Sequence, residues 1–85
     1  MITGAQIRAA RAALRLTSAD LAERAAVGIQ TIKRFEGTDG VPAGRTSTLA
    51  AIKSALERAG IEFVGSPEDR PGIRLKATVS AEAEM

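Results

Sequence analysis

Phe35 and Phe63 are the only aromatic residues in a chain of 85 that also lacks cysteine, and that scarcity limits how a core can be built. Hydrophobic residues still make up 45% of the sequence, so the interior has to be assembled from Ala, Leu, Ile and Val. Small aliphatic side chains favour closely packed helices, and alanine, the strongest helix former, is spread from Ala5 to Ala59 with few breakers before Gly37. A chain this short supports one core, hence one domain with loose ends. Without cysteine there is no disulfide framework, no thiolate metal site and no thiol nucleophile. Histidine is also absent, which removes the commonest general base and the usual zinc ligands. No acidic pair or metal-ligand spacing stands in for them, so the expectation is a non-enzyme with no cofactor and no metal. No apolar run approaches bilayer length and the N-terminus has no secretory pattern, which predicts a soluble, cytoplasmic protein.

Cap signals and apolar stripes divide the first 60 residues into four helices. Thr3 and Gln6 have the spacing of a capping box, followed by a stripe of Ile7, Ala10 and Leu14 with Arg8, Arg11 and Arg15 on the polar side. This predicts a first helix from about Gly4 to Leu14. Thr17 and Asp20 repeat the cap, with a carboxylate in the first turn, and Leu21, Ala22 and Ala25 give a short second helix from Ser18 to Ala25. After Ala26, Val27 and Gly28, Ile32 and Phe35 resume the stripe with Gln30, Thr31, Lys33 and Arg34 between them. With Gly28 as cap, Val27 and Ile32 form a hydrophobic staple. The glycine- and proline-bearing run 37–45 reads as a loop, and Thr46 or Ser47 caps a fourth helix carrying Leu49, Ile52, Leu56 and Ala59, closed by Gly60.

Beyond Gly60 the period changes from helical to alternating. Ile61 and Phe63, then Ile73 and Leu75, flank a Gly-Ser-Pro-Glu-Asp-Arg-Pro-Gly stretch, which predicts a β-hairpin with a long tip over 61–76. A lone hairpin is marginal, so its apolar residues pack on the helices or pair with a second chain. Residues 77–85 are small and acidic without a pattern and are expected to form a flexible tail.

The informative segment is Leu16-Thr17-Ser18-Ala19-Asp20-Leu21-Ala22 through Val27-Gly28-Ile29-Gln30-Thr31-Ile32-Lys33-Arg34-Phe35-Glu36. It resembles the Cro/C1-type (XRE-type) helix-turn-helix family of transcriptional regulators. That family has a Leu-Ser/Thr-Gln start, a Leu-Ala pair, a Gly-Val-Ser turn and a Thr-Ile-x-x-x-Glu recognition helix. The spacing is unbroken from Leu16 to Glu36, and with flanking helices the likeness covers about residues 2–59. Three positions depart from the pattern. Ser18 stands for the usual Gln, Ala26 for the turn glycine and Gly28 for the Ser/Thr cap. Ala26 then needs either a left-handed backbone or a different turn.

The resemblance implies a mainly α, four-helix (lambda-repressor-like) domain over 1–60, followed by the hairpin, and a mechanism in which the third helix enters the DNA major groove. By the family pattern the base-reading positions are Ile29, Gln30, Lys33 and Arg34. Gln30 suits adenine, Lys33 or Arg34 guanine, and Ile29 a thymine methyl. Ser18 and Arg45 are the implied phosphate contacts, and Thr31 is read either as a third or as plain surface. Arg11 and Glu36 are implied as a structural ion pair tying the first helix to the end of the third.

Charge is consistent with a polyanionic partner. Residues 1–60 carry nine Lys/Arg against five Asp/Glu and residues 61–85 three against five, so the helical part is the basic part. The expected partners are a double-stranded DNA operator and a second copy of the chain, dimerised through the hairpin. The competing reading is a protein-interaction module of the same fold, such as an antitoxin with a toxin partner; Gln30, Lys33 and Arg34 argue for DNA. The run from Gly37 to Thr46 weakly imitates a phosphate-binding loop, but it follows a helix and has Arg45 where lysine is required.

Overall fold

The computed structural model of the chain describes residues 1–76; the tail expected over 77–85 lies outside the described residues. Thr3 opens the first helix by the exchange its spacing predicts. Its hydroxyl accepts from the Gln6 backbone N–H at 3.0 Å, and its own N–H donates to Gln6 Oε1 at 2.8 Å. In the helix so capped, α1 (Gly4–Ala13), Ile2 and Ile7 stand at the N′ and N4 positions and are both buried, the arrangement of a hydrophobic staple. The chain leaves α1 through a Schellman ending: Arg15 N–H donates to Ala12 O and Leu16 N–H to Arg11 O, both at 3.0 Å, with Arg15 at φ 58°.

Helix α2 (Ser18–Ala25) repeats this plan. Thr17 and Asp20 form the reciprocal cap. At the other end Val27 N–H donates to Ala22 O at 3.0 Å and Ala26 N–H to Glu23 O at 3.2 Å. Ala26 sits at φ 58°, ψ 43°, so of the two turns its sequence allows, the chain takes the left-handed one. Gly28 caps α3 (Ile29–Glu36) without a side-chain hydrogen bond, and the staple partners Val27 and Ile32 both pack on the core.

The fourth helix, α4 (Thr46–Arg58), departs from expectation at its start. Arg45, not Thr46 or Ser47, is the N-cap, and no side chain caps it. The extended Arg45 already offers its carbonyl to the N–H groups of Thr48 and Leu49 at 3.1 and 3.2 Å, so Thr46 and Ser47 fall inside the first turn, one and two positions too late to cap. Gly60 closes α4 at φ 111°, as its position predicts.

Strands β1 (Ile61–Ser66) and β2 (Asp69–Leu75) form the antiparallel hairpin, but the long tip is not there. Pairing runs to Ser66 and Asp69, with a bulge between Val64 and Ser66, leaving Pro67 and Glu68 as the turn. The bulge lets the ladder continue through residues whose local preference is a loop, and Pro71 is tolerated because a two-stranded ladder leaves half its N–H groups unpaired. β1 packs on α4 and β2 on α1. Ile61 is fully buried and Phe63 and Ile73 are partly buried against the core, but Leu75 is 53% exposed. Leu75 opposes Ile61 in the ladder, and Ile61 takes the core position at that rung.

The core joins all four helices and the hairpin: Ile7, Leu21, Ile32, Phe35, Ile52, Leu56 and Ile61 are at most 1% exposed. Each such side chain stabilises the fold by about 1.5–3 kcal/mol. Among the described residues, no helix is long and apolar enough to cross a membrane.

Candidate nucleic-acid interface

Helix α3 buries Ile32, Phe35 and Glu36, and with about 100° between successive residues the opposite face falls to Gln30, Lys33 and Arg34. All three are exposed, Ile29 is 37% exposed at the margin, and Thr31 is half-buried on the other flank. The four base-reading candidates thus share one exposed side of a single helix. Ser18 and Arg45 do not join them on α3: Ser18 is the first residue of α2 and half-buried, and Arg45 is the exposed N-cap of α4.

The C-terminal end of α3 is gripped by α1. Arg11 meets the Glu36 carboxylate in a two-pronged pair, Nε to Oε2 at 2.8 Å and Nη2 to Oε1 at 2.9 Å, and donates a third bond to Leu16 O at 3.0 Å. The hydrogen bonds to Glu36 raise the Arg11 pKa, against the opposing effect of burial. This is the pair implied at these positions. Arg8, three residues earlier, was not singled out, yet its guanidinium donates to the Glu36 carbonyl, to the Thr38 carbonyl at 3.4 Å and to Asp39 Oδ1 at 2.6 Å. The Glu36 carbonyl belongs to the last residue of α3, the negative end of the helix dipole, where a cation is favoured. Gly4 completes the grip: a Cβ there would lie 2.0 Å from Thr38 O and 2.3 Å from Phe35 O, so only glycine lets α1 approach this closely.

Charge is distributed unevenly over the arginines and lysines. Arg8, Arg11, Arg70 and Arg74 each meet a carboxylate, whereas Lys33, Arg34 and Arg45, like Arg15, Arg24, Lys53 and Arg58, form no ion pair among the described residues. Arg34 instead lies over the Phe35 ring, 5.4 Å from its centroid, within cation–π range. The start of α2 is different. Thr17 N–H donates to Asp20 Oδ2 and Asp20 N–H to Thr17 Oγ1, both at 3.0 Å, and the hydrogen bonds from Thr17, backbone first, hold the Asp20 carboxyl below its usual range. An anion approaching Ser18 therefore meets a fixed negative charge two residues away, which weakens the case for Ser18 as a phosphate contact.

No protein-family model matches the chain, and no curated protein matches it.

Proposed function

We propose that this chain is a sequence-specific double-stranded DNA-binding protein, a small transcriptional regulator with a Cro/C1-type helix-turn-helix in which α3 reads the major groove. The observation that carries this reading is the face of Gln30, Lys33 and Arg34, exposed and, among the described residues, free of ion pairs, on a helix clamped at its far end by Arg8 and Arg11. An exposed amide and ammonium, Gln30 and Lys33, beside the guanidinium of Arg34 over the Phe35 ring, suit a ligand that is anionic and presents ordered donors and acceptors, and the major groove is both. The order α1–α4, the short α2–α3 turn and the Arg11–Glu36 pair agree with the family resemblance. One such helix spans few base pairs, so the functional form is a homodimer placing two copies of α3 about 34 Å apart on an approximately two-fold operator. Leu75, large, apolar and exposed on the hairpin, is the residue around which that dimer is proposed to form.

Enrichment of bound duplexes from a randomised library tests the reading, with the native chain compared against Gln30→Ala/Lys33→Ala. The native chain selects a symmetric motif; the double variant keeps salt-dependent background affinity but no longer selects it. A native chain that enriches nothing favours the protein-interaction module instead.

A further inference from the structure

We infer that Arg34 anchors the sugar–phosphate backbone and does not read a base, leaving sequence discrimination to Ile29, Gln30 and Lys33. The inference rests on the DNA-binding reading and divides its contact face in two. Phe35 follows Arg34 by about 100° around α3, on the side away from Gln30 and Lys33. A guanidinium lying 5.4 Å from the Phe35 centroid has therefore swung off the reading face, towards the loop that joins α3 to α4. The loop comes up to meet it: a Cβ on Gly44 would lie 2.9 Å from Phe35 Cζ and 3.8 Å from Arg34 Nη2.

On this side the surface is a groove lined by Arg34, Thr38, Val41, Pro42, Ala43 and Gly44. Among the described residues that line it, Arg34 is the only charged one. The nearby Asp39 carboxylate is held by Arg8 at 2.6 Å, so the loop's own anion is already neutralised. One cation, one hydroxyl and a run of small apolar groups match a phosphodiester oxygen flanked by deoxyribose. They match a base edge poorly, because guanine is read by the edge of a guanidinium fork projecting into the groove, and here the fork is laid against an aromatic ring and a glycine.

Fluorescence anisotropy of the full chain, Arg34→Ala and Arg34→Lys distinguishes the two roles, on the enriched duplex, its single-base-pair variants and an unrelated duplex over a salt series. Arg34→Ala weakens binding to every duplex by the same factor, and the slope of log K against log salt falls in magnitude by about 0.9. The order of preference among duplexes is unchanged, and Arg34→Lys keeps the native slope. A loss confined to one base-pair position, or no change in slope on Arg34→Ala, overturns the assignment while the DNA-binding reading stands. A native chain that binds no duplex overturns both.

Discussion

Ala26 adopts a left-handed backbone, φ 58° and ψ 43°, at the place where the helix-turn-helix pattern calls for glycine. A Cβ costs about 1–2 kcal/mol in that conformation, partly offset because glycine loses more freedom on folding. Ala26→Gly is therefore expected to raise stability by about 1 kcal/mol, read as a higher urea midpoint; an unchanged or lower midpoint would mean that Ala26 is not strained. Arg15 has the same φ, yet nothing in its neighbourhood in sequence marks it. Glu36 shows the opposite sensitivity. Its side chain is 9% exposed and its partner's 26%, so Glu36→Ala leaves a half-buried guanidinium without its carboxylate, with only the Leu16 carbonyl still accepting from it, and is expected to cost about 3 kcal/mol in the same measurement. That pair was legible because both partners are side chains at fixed spacing in a recognisable pattern. The Arg8 contact with the end of α3 was not legible, since one of its main acceptors is the backbone carbonyl of Glu36, whose position no residue type encodes, and the other is Asp39 in an irregular loop.

Capping chemistry made α1 and α2 readable to within a residue, because Thr3–Gln6 and Thr17–Asp20 each satisfy donors that a helix start always leaves open. The start of α4 and the hairpin tip were misread for a shared reason: local preference yielded to the register of the buried residues. At α4 a backbone carbonyl, that of Arg45, opens the helix without a side-chain cap; at the tip the cross-strand ladder overrides a run of turn formers. The α2 cap carries a pH signature. Asp20 has its carboxyl held below the usual value near 3.8, so its contribution is complete above that pH and is lost as pH falls through the lower folded value. Thermal midpoints taken from pH 5 to 2 should therefore fall further in the native chain than in Asp20→Asn; parallel curves would contradict the cap's ionic character. Gln6 links elements that no sequence pattern connects. Its Nε2 donates to Val64 O at 3.2 Å and to Gly72 O at 2.8 Å while Oε1 accepts at the α1 cap. Gln6→Leu leaves these groups unpaired, and a loss of about 1–3 kcal/mol with faster amide exchange in β1 and β2 is expected. Exchange unchanged in the hairpin would mean that its packing alone holds it.

At the level of the whole molecule, the helices and hairpin bury one common core, and among the described residues the ion-paired arginines lie on α1 and the hairpin, while Lys33, Arg34 and Arg45 share the lack of an ion pair with Arg15, Arg24, Lys53 and Arg58. Sedimentation should show a dimer that Leu75→Glu converts to a monomer without loss of helix; a variant that stays dimeric would place the interface elsewhere. The most direct test of the central claim is amide chemical-shift mapping of the labelled chain as the enriched duplex is added, against a duplex of equal length and scrambled sequence. The account predicts that the enriched duplex shifts residues 29–34 and the α3–α4 loop through Arg45, and that only the scrambled duplex leaves Gln30 and Lys33 near their free positions. Perturbations that spare α3 with both duplexes, or that fall on α1 and the hairpin instead, would contradict it.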